Sequence, residues 1–157
     1  MLYLATDHRG FELKEKIKAW LIEWNYSFED LGAFIKNPSD DYPDFVRLAG
    51  QAVAKDPEHN RAIILGATGQ GEAMVANRFE GVRAIVYYGG PEEIVQLGRE
   101  HNDSNVLSIG AAPGSTIEHG KAISEELVQK VVRLWLETPF SGDERHVRRI
   151  KKIDIQG

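Results

Sequence analysis

The sequence of 157 residues contains no cysteine, and this absence removes several kinds of chemistry at once. Disulfide bonds, cysteine metal sites and thiol nucleophiles are all excluded. The amino terminus, MLYLATDHRG, lacks the basic start and long apolar stretch of a secretory signal. No apolar run approaches the roughly 20 residues that span a bilayer. The sequence therefore predicts a cytoplasmic protein without thiol chemistry and without a membrane span.

Basic residues are in the minority. The sequence has 19 Lys and Arg residues against 24 Asp and Glu residues, a net charge of -5, which opposes binding of nucleic acid or an anionic membrane by the whole surface. Any anion site must therefore be local. With 42% hydrophobic residues, the length suits a single domain, residues 1–157, that can bury a core. No two-histidine spacing with a nearby carboxylate indicates a metal site, so we expect no metal.

Short apolar runs recur along the chain, and each is followed by a polar turn and a segment with helical periodicity. The runs MLYLAT, RAIILG, VRAIVYY and NVLSIG predict parallel strands, and SFEDLG predicts a short fifth strand. Helices are predicted near Phe11 to Trp24, over 42–55, over 91–102 and from about Ser115 to Leu136, with a basic helical segment near 143–153. Strands that are apolar on both faces need helices on both sides. The predicted fold class is α/β, a three-layer αβα Rossmann-like sandwich with a parallel sheet of about five strands.

Polar clusters follow the predicted strands, and in such sheets ligands bind beyond the carboxyl ends of the strands. This rule predicts a site formed by TDHRG, GATGQGE and SIGAAPG. The polar run REHND, which comes just before its strand, is grouped with them.

The segment GATGQGE has three glycines in six residues and then an acid. A dinucleotide fingerprint would need glycine at Met74, and a Walker loop would need lysine at Glu72, so both are disfavoured. One interpretation is purely structural: the segment is an ordinary start of a helix with an acidic residue in the first turn. The functional one is proton transfer beside a carbonyl, which needs backbone donors for an oxyanion and a nearby carboxylate. Glu72 meets both needs, provided that burial raises its pKa.

Five motifs in order resemble the ribose-5-phosphate isomerase B family and its relatives, the galactose-6-phosphate isomerase subunits. They are ATDHRGFELK, DDYPDF, GATGQGEAMVANRFEGVRA, REHNDSNVLSIG and ERHVRR, and they cover nearly the whole chain. The resemblance implies a Rossmann-like sandwich, interconversion of D-ribose 5-phosphate and D-ribulose 5-phosphate in the pentose phosphate pathway, and no metal or organic cofactor. It also implies a homodimer with shared active sites, in which the segment near 143–153 packs on the partner subunit.

The resemblance also implies which residues move protons. Many members of the family use a cysteine where this chain has Gly66, and a second branch uses a glutamate in the glycine loop. By that likeness, Glu72 moves the proton between C2 and C1. His101 resembles the acid/base that opens the furanose ring. Asp7 and Thr68 resemble partners of the ring oxygen and hydroxyls.

The remaining implied residues bind the substrate. Asn102 is expected to contact the sugar, and Tyr42 to line the pocket. The phosphate clamp is expected from His8, Arg145 and Arg149, because the arginine fork donates two hydrogen bonds to phosphate. The glycine loop is expected to line the site with Gly66, Ala67, Gly69 and Gly71.

One departure concerns the phosphate site. Many relatives carry an arginine where this chain has Ala112. Arg9 or Arg148 is a candidate replacement, and His146 is close to the clamp in sequence. The sequence leaves open whether the substrate is a pentose phosphate or a hexose phosphate such as allose or galactose 6-phosphate.

Two functions are compatible with these motifs. The first is a cofactor-free isomerase, and the second is a non-catalytic sugar-phosphate or nucleotide-binding module of the same fold. Without the resemblance, His101 would be read as a surface residue, Asp7 as a helix cap and residues 145–152 as a solvated helix face. Whether dimers pair into tetramers is also left open.

Overall fold

The computed structural model of the chain describes residues 1–111 and 123–154. Strands and helices alternate along most of this length. The strands are β1 (Leu2–Thr6), β2 (Phe28–Asp30), β3 (Arg61–Gly66), β4 (Ala84–Tyr87) and β5 (Val106–Gly110). The helices are α1 (Phe11–Glu23), α2 (Tyr42–Ala54), α3 (Gln70–Ala76), α4 (Glu93–Asn102), α5 (Glu125–Glu137) and α6 (Glu144–Ile150). None of the helices in these two ranges is long and apolar enough to cross a membrane.

The five strands form one parallel sheet in the order β2-β1-β3-β5-β4. The register pairs the last residue of β3, Gly66, with the last residue of β5, Gly110. The carboxyl ends of these central strands therefore meet at one edge of the sheet, and their amino ends meet at the other. This arrangement decides which side chains are near each other.

Alternate strand residues point to opposite sides of the sheet. Both sides carry apolar residues, and helices cover each of them. Leu4, Ile63 and Leu107 pack with α1, α4 and α5 on one face. Ala5, Ile64 and Val106 pack with α2 and the last turn of α3 on the other. The predicted three-layer αβα sandwich with five parallel strands is therefore confirmed.

The boundaries of the helices follow local chemistry. Pro43 lies in the first turn of α2, where its missing N–H costs nothing. Helix α5 begins at Glu125, because Ser124 is extended and its side chain accepts a hydrogen bond from the backbone N–H of Leu127 at 3.2 Å. The helix predicted from about Ser115 is wrong over residues 123 and 124, and residues 115–122 lie outside the described residues.

Lys14 ties α1 to the loop after β2. Its side chain is fully buried, and Nζ donates to Asp30 at 2.6 Å and to the carbonyl of Ala33 at 2.7 Å. Lys18 donates to the second oxygen of Asp30 at 2.9 Å, so this carboxylate is well compensated. The arrangement anchors the chain that leads to α2.

Candidate active site

The glycine loop connects β3 to α3 at the carboxyl edge of the sheet. Gly69 precedes the helix with a φ of 75°, a conformation that glycine adopts at little cost. Its carbonyl accepts a hydrogen bond from the Ser108 hydroxyl at 2.6 Å, which fixes the loop on β5. Helix α3 has only seven residues, so the backbone N–H groups of the loop matter more here than a helix dipole.

Glu72 lies in the first turn of α3, and its carboxylate is turned back onto the end of β3. The residue is only 4% exposed. A Cβ atom added at Gly66 would overlap both the Cδ and Oε1 atoms of Glu72. The carboxylate therefore occupies the volume that any side chain at position 66 would need.

The environment of Glu72 favours its neutral form. Burial raises the pKa of its carboxyl group above the ordinary value, and the Asp7 carboxylate raises it further, while the backbone N–H of Glu72 itself opposes the shift. A carboxylate with a raised pKa is a stronger base once it is ionised. Glu72 was expected to serve as a base only if burial raised its pKa, and the structure shows that burial.

Two more predicted residues, Asp7 and His8, follow β1 at the same edge. Asp7 is 5% exposed and accepts a hydrogen bond from the backbone N–H of Arg9 at 2.9 Å. His8 Nδ1 lies 2.6 Å from Oδ1 of Asp40, and the backbone N–H of His8 donates to the same oxygen at 3.0 Å. Asp40 is not among the residues predicted for the site, although it is the first residue of the motif DDYPDF.

Asp7, His8 and Asp40 each offer an atom that could bind a metal, and these atoms lie within 4.8 Å of one another. The nitrogen–oxygen distance of 2.6 Å between His8 and Asp40 is a hydrogen-bond distance. Two ligand atoms on a tetrahedral zinc would lie roughly 3.3 Å apart, given bonds of about 2.0–2.1 Å. The geometry favours a hydrogen-bonded pair over a metal centre.

The walls of the same region contain Tyr42, Ala67 and Thr68. A Cβ atom at Gly71 would lie 2.8 Å from the Tyr42 hydroxyl oxygen, so Tyr42 packs directly on the loop. Thr68 is exposed, and its hydroxyl accepts a hydrogen bond from the backbone N–H of Gln70 at 3.3 Å. Ala67, the residue before Thr68, is half-buried. Ala67 and Thr68 thus belong to the loop that precedes Glu72, and Tyr42 contacts that loop.

A cleft of about 690 Å³ opens at this edge beside His8 and Gly110. Its walls include two ion pairs, which join Lys36 to Glu12 and Lys16 to Glu125. They also include the exposed Arg9. Ala112, the position of the missing arginine, lies outside the described residues.

The second group of predicted residues lies elsewhere. His101 and Asn102 form the end of α4, and His101 stacks on His146 of α6 with ring centroids 4.3 Å apart and planes at 13°. Arg145 and Arg149 are exposed on α6 beside His146. These four residues and His146 thus form one cluster.

His146 is 4% exposed, and within the described part of the chain its Nε2 atom has no hydrogen-bond partner. Burial lowers the pKa of His146, and the neighbouring His101 lowers it further. The sequence placed His146 near the clamp but did not indicate this stacking.

The His101 cluster lies at the amino edge of the sheet, opposite Glu72. The carbonyl of Asn102 accepts a hydrogen bond from Nε of Arg83 at 2.9 Å, and Arg83 immediately precedes β4. Glu72 instead follows the carboxyl end of β3. A five-residue strand spans about 13 Å at about 3.3 Å per residue. The prediction that REHND joins the other three segments at one rim is therefore wrong within a single chain.

Comparison with known proteins gives a consistent result. The profile of the Ribose/Galactose Isomerase family matches residues 2–153. Ribose-5-phosphate isomerase B of Mycolicibacterium paratuberculosis is 36% identical over 149 residues, which are 95% of this chain and 86% of that protein.

Solved structures of two further relatives superpose on the chain. Ribose-5-phosphate isomerase B of Mycoplasma genitalium, with bound ribulose-5-phosphate, has a TM-score of 0.85 and 32% identity over 97% of this chain and 92% of that one. The protein of the same name from Thermotoga maritima has a TM-score of 0.82 and 37% identity over 98% and 96% of the two chains. The chain belongs to the Ribose/Galactose Isomerase family.

Proposed function

We propose that this chain interconverts D-ribose 5-phosphate and D-ribulose 5-phosphate by moving a proton between C2 and C1, without a metal or organic cofactor. The observation that carries the proposal is the buried Glu72 carboxylate, packed against Gly66 with a raised pKa. Relatives that bear the name of this reaction match over almost the whole chain, and one was solved with the ketose product bound.

The reaction begins with ring opening, because a cyclic hemiacetal has no carbonyl to acidify the C2 proton. His101 accepts the proton of the C1 hydroxyl, the bond between C1 and the ring oxygen breaks as the C1 carbonyl forms, and His101 returns the proton to the ring oxygen, which frees the aldehyde. The ring oxygen and hydroxyls are held by Asp7 and Thr68. His101 suits this role because imidazole exchanges protons near neutral pH.

Isomerisation then follows at Glu72. The carboxylate removes the C2 proton, the electron pair of that bond forms a C1–C2 double bond, and the carbonyl oxygen gains the negative charge. Backbone N–H groups of the glycine loop stabilise this oxyanion. Glu72 then delivers the proton to C1, and the C2 hydroxyl passes its proton to the negatively charged C1 oxygen, which leaves the C2 carbonyl and the C1 hydroxyl of the ketose.

The substrate phosphate is bound by His8, Arg145 and Arg149. His8 lines the cleft at the carboxyl edge, whereas both arginines are exposed on α6 beside the His101 cluster. Arg9 also lines the cleft and is the better-placed substitute for the arginine that Ala112 replaces. Arg148 remains an alternative on α6.

Two copies of the chain are needed to complete this site. Glu72 and His8 lie at one edge of the sheet and His101 at the other, so one chain cannot bring Glu72 and His101 to neighbouring atoms of a single sugar phosphate. We infer a homodimer in which α6 and the segment near 143–153 contribute to the partner's site. Pairing of dimers into tetramers and a cytoplasmic location stay predictions.

A mixing experiment tests the shared site. Glu72→Gln and His101→Asn should each be nearly inactive as purified homodimers. After the two are unfolded and refolded together, about a quarter of wild-type activity should return, because half of randomly paired dimers are mixed and each mixed dimer has one intact site. No recovery, although mixed dimers are detected by mass spectrometry, would contradict sharing.

Heavy water tests the reaction itself. Purified protein incubated with ribose 5-phosphate should produce ribulose 5-phosphate with deuterium at C1. Glu72→Gln should bind substrate normally but lose about 100-fold or more in rate, the usual contribution of a general base. Normal turnover by this variant would exclude Glu72 as the base.

The same assay separates the alternatives. A binding module of the same fold would bind ribose 5-phosphate without deuterium incorporation. A hexose phosphate isomerase would show a higher kcat/KM with allose 6-phosphate or galactose 6-phosphate than with ribose 5-phosphate.

A further inference from the structure

We propose that Asp40 is a positioning residue that orients His8 for the substrate phosphate. This inference rests on the proposed function, in which His8 binds that phosphate. Asp40 itself does not touch the substrate in this proposal. It acts through the His8 ring, and its loss should weaken binding more than it slows the proton transfer.

The geometry of the pair fixes the ring in two ways. Asp40 Oδ1 accepts the backbone N–H of His8 at 3.0 Å and lies 2.6 Å from Nδ1 of the same residue. One oxygen thus holds both the main chain and the side chain of His8. Because Nδ1 is engaged by Asp40, Nε2 is the nitrogen left to meet a ligand in the cleft that His8 lines.

The burial of Asp40 shows why the pair is kept together. Its side chain is 9% exposed, and within the described residues Oδ2 is buried without a hydrogen-bond partner. A buried carboxylate with an unused oxygen is costly unless a proton donor compensates it. The donor here is the His8 ring, which is also 3.9 Å from Asp7.

The chain offers a matched control on its surface. His59 Nδ1 lies 2.8 Å from Asp56 Oδ1, so the same two groups form the same bond. Both side chains are more than half exposed. His59 and Asp56 lie between α2 and β3, at the amino edge of the sheet.

The test compares Asp40→Ala with Asp56→Ala in steady-state kinetics. Asp40→Ala should raise KM for ribose 5-phosphate and the inhibition constant of inorganic phosphate about ten-fold, the loss expected for one hydrogen bond to a charged group. Its kcat should change by about two-fold or less, because Glu72 is untouched. Asp40→Asn, whose oxygen can still accept, should lose less. Asp56→Ala should match wild type.

A double-mutant cycle excludes a merely structural role. In a His8→Ala background, Asp40→Ala should cause no further rise in KM, since the residue it orients is gone. The full ten-fold rise in that background would overturn the proposal. Nitrogen-15 spectra of His8 should also show a proton on Nδ1 in the wild type, and an unprotonated Nδ1 would contradict the pair.

The outcomes separate this inference from the proposed function. If the wild type does not isomerise ribose 5-phosphate, the proposed function fails, and phosphate binding by wild type and Asp40→Ala still tests the pair. If the wild type is active and Asp40→Ala has an unchanged KM and phosphate inhibition, only the role of Asp40 fails.

Discussion

The most direct test of the position of Glu72 is the addition of a single methyl group at Gly66. In Gly66→Ala, the new Cβ would overlap the Glu72 carboxylate, at a separation that real atoms do not tolerate. The end of β3 is held in register with β5 and cannot retreat easily. Glu72 must therefore turn away from the position that it occupies in the native chain.

The size of the effect follows from what moves. Relief of one methyl clash in a packed interior costs about 1–3 kcal/mol. The displaced carboxylate regains water, so the loss of folding free energy should be about 1 kcal/mol, which corresponds to about 2–4 °C in Tm for a domain of this size. The loss of a positioned base should instead lower kcat by about 100-fold or more.

Two measurements decide the outcome. Gly50→Ala is the control, because its Cβ would lie 2.5 Å from the Phe79 ring, a comparable clash away from Glu72. It should lower Tm but keep kcat, whereas Gly66→Ala should keep most of its Tm and lose kcat. In a Glu72→Gln background, Gly66→Ala should slow turnover little further. Wild-type kcat in Gly66→Ala alone would refute the reasoning.

Three further predictions concern other residues. Burial raises the pKa of Glu72, so the stability that Glu72 contributes is lost as pH rises through its folded-state pKa. Glu72→Gln should therefore be more stable than wild type at pH 7 in urea titrations. The difference should vanish in acid, where Glu72 is protonated in both states. His101→Asn should lose turnover of ribose 5-phosphate but still exchange the C1 proton of ribulose 5-phosphate in heavy water, because the open-chain ketose needs no ring opening. Lys14→Met should lower the free energy of unfolding by about 3 kcal/mol, since it removes the donor to Asp30 and Ala33.

The fold could be predicted from local patterns because each strand and helix carries its own signal. The apolar runs and the helical periodicity gave the strands and four of the helices within a few residues. Among the five helices with predicted bounds, α5 was the exception, since its apolar stripe does not reveal that the helix starts after Ser124. The start of this helix depends on one hydrogen bond of the capping residue, which the spacing of apolar residues does not reveal.

The site was only partly accessible to the same reasoning. Glu72 could be selected because glycines and an acid stand together in sequence, and its burial had to come from packing. The grouping of His101 with Glu72 failed within one chain because REHND precedes its strand, so His101 lies at the amino edge. Asp40 was missed because its partner, His8, is 32 residues away.

The position of Glu72 connects the absence of a side chain at Gly66 to the choice of base. A carboxylate can enter the end of the sheet only where no Cβ stands, and Gly66 supplies that space. The same space excludes water, which raises the pKa of Glu72 and strengthens it as a base. A chain with a side chain at position 66 cannot place a glutamate there without moving the backbone. The glycine and the glutamate therefore act as one unit, and changing either one should remove the proton transfer.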